Sequence, residues 1–134
     1  MFVNLSNHPS EHWDTRQRNA ALALAGPIVD LPFPEVPPDA DERTVTELAD
    51  RVTDSVPATA THAMVMGEFT LTVALISRLC RRGIRCLAAT TRRQAADLPD
   101  GRKAVRFEFV RFREYEPPVS DHGPAERRSA PGEE

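Results

Sequence analysis

Three short stretches hold most of the side chains that could do chemistry. They combine hydroxyls, an amide, an imidazole, a carboxylate, an arginine and free backbone N–H groups at the start of a helix. The stretches are Ser6-Asn7-His8-Pro9-Ser10, Gly67-Glu68-Phe69-Thr70 and Thr90-Thr91-Arg92. Helix-start N–H groups and arginine both pair with phosphate oxygens, so this set suits the binding of a phosphate or a nucleotide.

The residues of the first stretch also have structural explanations. Ser6 and Asn7 could form only an Asx-type turn, and His8 before Pro9 could be an exposed loop histidine. Both interpretations stay open from the sequence alone.

The other two stretches have the same ambiguity. Gly67 could serve a tight strand-to-helix turn, Glu68 could favour the positive end of the helix, and Thr70 could be its cap. Arg92 directly follows a predicted strand end and is the better phosphate candidate, although it could be a solvated side chain. Neither G-x-G-x-x-G nor a Walker loop occurs in the chain, which disfavours dinucleotide and nucleoside-triphosphate enzymes.

Hydrophobic periodicity predicts the elements that must position these loops. The predicted strands cover residues 1–6, 28–31, 63–66, 84–89 and 104–115. Three helices are predicted. The first starts at Asp14, the second covers residues 42–55 with Asp39 or Asp41 as its cap, and the third covers the segment from Gly67 to Arg82-Gly83. In the last strand the alternation of apolar residues slips at Val110, which predicts a β-bulge or a change of face.

Strand, helix and strand with short connections make a βαβ unit, which requires parallel strands. The element order therefore predicts a small three-layer, Rossmann-like α/β domain. Its sheet is expected to be mostly parallel, with order 2-1-3-4 and an antiparallel C-terminal strand. In such a sheet, ligands bind at the carboxyl ends of the strands where the strand order reverses. That point lies between strands one and three, next to the loops described above.

The chain length and the composition predict one domain over residues 1–115, followed by a disordered tail over 116–134 that is rich in proline, glycine and charged residues. The net charge is −3; residues 1–66 carry −6, residues 67–115 carry +6, and the tail carries −3. The second half could offer a basic surface to an anion. Cys80 and Cys86 are expected to be buried apolar side chains rather than a disulfide or a metal pair. A cytoplasmic location is expected, because the sequence has no membrane span and no signal peptide.

Four segments together resemble the small stand-alone CRISPR-associated proteins with a CARF-like, Rossmann-type domain. The segments are 4–9 (NLSNHP), 29–32 (VDLP), 67–70 (GEFT) and 110–113 (VRFR). The resemblance covers roughly residues 1–115, in the order of the elements and the character of the loops. It implies a homodimer that binds cyclic oligoadenylate across its two-fold axis, and neither a membrane nor duplex nucleic acid as a partner.

Several such proteins are ring nucleases, which degrade this second messenger and switch off type III CRISPR signalling. The implied reaction uses neither a metal nor a cofactor, because the ribose 2′-OH attacks the adjacent phosphate in line. The implied catalytic residues are His8, Arg92 and Glu68. The implied ligand-binding residues are Ser6, Asn7, Gly67, Phe69, Thr70, Thr90 and Thr91. Two other functions stay open: a non-catalytic cyclic-nucleotide sensor or regulatory subunit with the same fold, and an enzyme on another small anionic substrate.

Overall fold

The first strand lies inside the sheet and pairs in parallel with a neighbouring strand on each side. In the computed structural model, which describes residues 1–119, β1 (Phe2–Ser6) lies between β2 (Ile28–Pro32) and β3 (His62–Met66). β4 (Arg85–Asp97) pairs in parallel with β3, and β5 (Lys103–Glu114) pairs antiparallel with β4. The sheet order is β2-β1-β3-β4-β5, which confirms the predicted topology.

Three helices cover the two faces of this sheet. They are α1 (Thr15–Ala25), α2 (Glu42–Ser55) and α3 (Phe69–Arg81). One buried cluster joins α2 and α3 to Val3, Leu5 and Val65, and a second joins α1 to Phe2, Met64 and Leu87. Residues that alternate along β1 and β3 thus point to opposite faces, as strand geometry requires. The three-layer architecture is confirmed.

Local sequence signals explain where the helices begin. Asp14 caps α1 by accepting a hydrogen bond from the backbone N–H of Gln17, and Asp41 caps α2 in the same way from Thr44. The predicted start at Asp14 and the bounds 42–55 of the second helix are confirmed. α3 ends just before Gly83, whose φ of 78° is in the left-handed region that glycine adopts at low cost.

The predicted end of the fourth strand is wrong. β4 does not stop at Ala89 but continues to Asp97, so Thr90, Thr91 and Arg92 lie inside the strand and not in a loop after it. The extension pairs with β5 to form a two-stranded ribbon that reaches beyond the rest of the sheet. Its residues are mostly exposed, and pairing with β5 rather than burial therefore keeps them extended.

The predicted irregularity at Val110 is confirmed as a β-bulge. Thr90 pairs with Arg111 and Thr91 pairs with Phe109, which leaves Val110 as the extra residue on β5. The bulge brings Phe109 and Phe112 into the same buried cluster beneath α1, with their ring centroids 5.0 Å apart. Residues 116–119 lie outside helices and strands, and the rest of the predicted disordered tail lies outside the described residues.

Candidate functional site

A groove of about 690 Å³ opens at the carboxyl ends of β1 and β3, where the strand order reverses. It lies on the α1 side of the sheet, and the β4–β5 ribbon forms one wall. Its lining residues are Ser6, Asn7, His8, His12, Asp14, Gln17, Met64, Met66, Ala89, Thr91, Phe107 and Phe109. The groove thus lies at the position in the sheet where ligands are expected in open α/β folds.

A buried polar network shapes the loop that follows β1. The side-chain amide of Asn4 is almost fully buried, and its Nδ2 donates to the His8 carbonyl and to Asp30 Oδ1, both at 2.9 Å. Ser6 Oγ donates to Asn4 Oδ1 at 2.6 Å and accepts from the His8 backbone N–H at 3.1 Å. The Ser6 hydroxyl therefore forms a local turn, and its hydrogen-bonding capacity is engaged inside the protein.

Further contacts fix the same loop from outside. The Trp13 indole N–H donates to the His8 carbonyl at 3.0 Å, and Ser10 Oγ donates to Asp30 Oδ2 at 3.0 Å. Arg18 donates to the Ser10 carbonyl at 2.8 Å. These bonds hold the backbone while leaving the side chains of Asn7 and His8 exposed at the groove. The loop therefore presents an amide and an imidazole from a fixed backbone.

A second imidazole lines the groove beside the first. His12 ends the short 3₁₀ turn Ser10–His12, is exposed, and lies 3.7 Å from the Glu11 carboxylate. Two histidines at one cleft can serve as acid and base for the same reaction.

The opposite side of the groove is apolar. Met64 and Phe109 are buried, whereas Met66 and Phe107 remain 37% and 67% exposed at the rim. The backbone N–H of Ala89 donates to Met66 Sδ at 3.2 Å, in a region where β4 no longer pairs with β3. An apolar wall facing a polar loop suits a ligand that has both an apolar and a polar part.

The structure places the Gly67–Thr70 stretch outside the groove. Gly67 packs against the buried ring of Phe33, in the cluster on the α2–α3 side of the sheet. Glu68 is the N-cap of α3: its carboxylate accepts from Leu71 N–H at 2.8 Å and from the Thr70 hydroxyl at 2.6 Å. These two bonds lower the pKa of Glu68 below its ordinary value, the Thr70 hydroxyl contributing most. Phe69 is 86% exposed.

The third predicted stretch is divided between the groove and other surfaces. Thr91 lines the groove, whereas the Thr90 hydroxyl bridges the bulge, donating to the Arg111 carbonyl at 3.0 Å and accepting from its N–H at 3.2 Å. Arg92 is exposed opposite Glu108 and does not line the groove, because neighbouring strand residues point to opposite faces. Among the described residues, no lysine or arginine lines this groove.

Several residues that line the groove carry no recognisable signal in the sequence. His12, Gln17 and Phe107 come from a turn, a helix and the ribbon, and only tertiary packing brings them to the loop after β1. A signal did exist for the supporting network: Asn4 and Asp30 are polar residues within short apolar strands. Asn4 is buried and needs a partner, and the exposed Asp30 carboxylate supplies one by accepting from its amide.

Residues 1–119 contain no group of three or more His, Cys, Asp or Glu side chains arranged to hold a metal ion, and no helix in this range is long and apolar enough to cross a membrane. Cys80 and Cys86 are both free thiols, and burial raises the pKa of Cys86 well above its ordinary value.

Comparison with known proteins gives one result that bears on identity. No curated protein and no solved structure matches the chain significantly. A family model does match, and it spans residues 1–113, which include the whole sheet up to Arg113 and every residue of the groove. The chain therefore belongs to the Uncharacterized protein MJ1673 family.

Proposed function

We propose that this protein is a ring nuclease that binds cyclic oligoadenylate in the groove, cleaves it, and so switches off type III CRISPR signalling. The observation that carries the proposal is the groove at the reversal of strand order, with His8 and His12 beside an apolar, partly aromatic wall. Its volume of about 690 Å³ is in the range of small-molecule sites. Imidazoles serve proton transfer, and the apolar wall suits a nucleobase.

The proposed reaction balances without an added reactant. The ribose 2′-oxygen loses its proton to one neutral imidazole as it forms a bond to the adjacent phosphorus. The bond from phosphorus to the 5′-oxygen breaks, and the second imidazole, in its protonated form, gives that oxygen a proton. The products are a 2′,3′-cyclic phosphate and a 5′-hydroxyl. His8 and His12 fill these two roles, and the exposed amide of Asn7 positions a ribose or phosphate oxygen.

A homodimer is part of the proposal. Phe69 and Val73 are 86% and 67% exposed, and they are four residues apart on one face of α3. Exposed apolar side chains on one helix face favour an interface with a second copy.

A non-catalytic sensor is the second candidate, and one observation favours it. No lysine or arginine from the described part of the chain lines the groove, and the Ser6 hydroxyl is already engaged. Charge that develops on the phosphoryl oxygens would thus have few fixed donors to stabilise it. Binding without cleavage would be consistent with such a site.

The decisive experiment incubates the full-length protein with cyclic tetra-adenylate, and separately with cyclic hexa-adenylate, in the presence of EDTA. We expect chromatography to resolve linear products that end in a 2′,3′-cyclic phosphate. His8→Ala and His12→Ala should each slow cleavage by about 100-fold or more, the usual scale of acid–base catalysis. The control is His62→Gln, because His62 is at the amino end of β3, about 13 Å along the strand from the groove end.

The other outcomes separate the candidates. An intact ring that raises the melting temperature would identify a sensor. An intact ring that leaves the melting temperature unchanged would overturn both candidates and favour an enzyme on another small anionic substrate. Full cleavage by His8→Ala would remove His8 from the mechanism.

A further inference from the structure

Gln17 holds a polar side chain at a position where the fold does not need one. It is in the first turn of α1, only 6% exposed, and it lines the groove. Its side-chain Nε2 donates to Met64 Sδ at 3.7 Å, and a thioether sulfur is a weak acceptor. No residue within 1–119 donates a hydrogen bond to its Oε1.

The helix cap does not explain this amide. Asp14 caps α1 through the backbone N–H of Gln17, which any residue except proline would supply. In a full capping box the Gln17 side chain would bond back to the Asp14 backbone, but here it turns inward to Met64. Its nitrogen has only a weak thioether acceptor, which contributes little to stability, and its Oε1 is not among the fully buried polar atoms of residues 1–119 that lack a partner. The amide is thus available to a ligand in the groove.

Apolar and aromatic side chains line the groove together with Gln17. Met64, which Gln17 contacts, and Phe109 are buried in the groove wall, and the exposed ring of Phe107 is at the rim. Exposed aromatic side chains at nucleotide sites stack on bases. A slot with a stacking surface and one amide selects a heteroaromatic ring that has a donor next to an acceptor.

We infer that Gln17 reads the edge of an adenine base that stacks on Phe107. The inference rests on the proposed function, since it takes the groove as a nucleotide site. Adenine offers its N6 amino group to Oε1 and its N7 to Nε2, which satisfies both ends of the amide. Guanine offers two acceptors, O6 and N7, along the same edge, so Oε1 would face an acceptor. Gln17 is therefore the residue that selects adenine over guanine.

The test uses the full chain and calorimetric titration with 2′-deoxy cyclic tetra-adenylate and its guanine counterpart, rings that lack the attacking hydroxyl. We expect the wild-type protein to prefer the adenine ring by about 5- to 150-fold, the usual range for a two-bond base contact. Gln17→Leu should bind the two rings within about threefold of each other, through loss of affinity for adenine. Its melting temperature should stay the same or rise, because the leucine buries no amide.

A matched control is Gln94→Leu. Gln94 is an exposed glutamine of the ribbon that bonds to Glu108 and does not line the groove, so this variant should keep the wild-type preference. A Gln17→Leu protein that still prefers adenine would overturn the role of Gln17 and leave the nucleotide site standing. A wild-type protein that binds neither these rings nor adenosine monophosphate would overturn the inference together with the proposed function.

Discussion

Gly67 is the position where one added carbon should have the clearest effect on stability. A Cβ at this residue would lie 2.5 Å from each of three ring carbons of Phe33. Non-bonded carbons prefer separations of about 3.5 to 4.0 Å. Gly67→Ala therefore requires the Phe33 ring to retreat by about 1 Å, and that ring is only 4% exposed within the cluster under α2 and α3.

The size of the effect follows from two opposing terms. Overpacking a tight core costs about 1 to 3 kcal/mol. Replacing glycine by alanine also restricts the unfolded chain, which stabilises the folded state by about 0.4 to 1 kcal/mol. The expected net loss in the free energy of unfolding is about 1 to 2 kcal/mol for Gly67→Ala. For a domain of this size that corresponds to a fall in melting temperature of about 4 to 8 °C.

A double-mutant cycle isolates the contact. Urea unfolding followed by circular dichroism would be measured for Gly67→Ala, Phe33→Leu and the double variant. Phe33→Leu opens space next to residue 67, so in that background Gly67→Ala should cost less than about 0.5 kcal/mol. The coupling energy between the two substitutions should be larger than about 0.5 kcal/mol. Equal costs in both backgrounds would refute the reasoning, because the penalty would then come from the backbone rather than from the Phe33 ring.

Two further predictions concern Thr72 and His62. Within residues 1–119, Thr72 Oγ1 is buried and has no hydrogen-bond partner, so Thr72→Val should raise the free energy of unfolding in urea by about 1 kcal/mol; a loss of stability would indicate a partner for the hydroxyl. Burial, and then the charge of Arg85, hold the pKa of His62 below its ordinary value of 6.5, with Glu114 acting in the opposite direction. His62 therefore binds a proton more readily in the unfolded chain than in the folded protein. The free energy of unfolding is highest above pH 6.5, and it decreases as the pH falls through 6.5 toward the lower pKa of the folded state. Melting temperatures between pH 7.5 and 5.5 should therefore fall less steeply for His62→Gln than for the wild type, and parallel curves would contradict this.

The helices could be predicted closely because their signals are local. Asp14 caps the first helix, and the predicted bounds of the second helix coincide with those of α2. The far end of β4 could not be predicted in the same way. The apolar run ends near Ala89, whereas the strand continues only because β5 pairs with it from Lys103 onward. Pairing between segments of this kind depends on tertiary structure, and a strand exposed on both faces has no apolar pattern to mark it.

The candidate site could be predicted for the loop that follows β1 and for one residue of β4. The sequence correctly suggests that loops at the reversal of strand order come together, and Asn7, His8 and Thr91 do line one groove. It could not show that the chain leaving β3 turns to the other face of the sheet, where Gly67 meets Phe33. The carboxyl ends of β1 and β3 lie at the same edge of the sheet. The face to which the chain turns after each strand therefore decides which loop lines the groove.

The bulge at Val110 links these parts of the fold to the groove. In a regular strand Phe109 and Phe112, three residues apart, would lie on opposite faces. Because of the bulge, both rings pack with Phe2 beneath α1, and the centroids of Phe2 and Phe112 are 5.1 Å apart. This packing fixes Phe109 in the wall of the groove, and Phe107, two residues earlier on β5, is left exposed at its rim. A one-residue irregularity in the last strand thus aligns the aromatic wall with the histidine loop, although the two are about 100 residues apart in sequence.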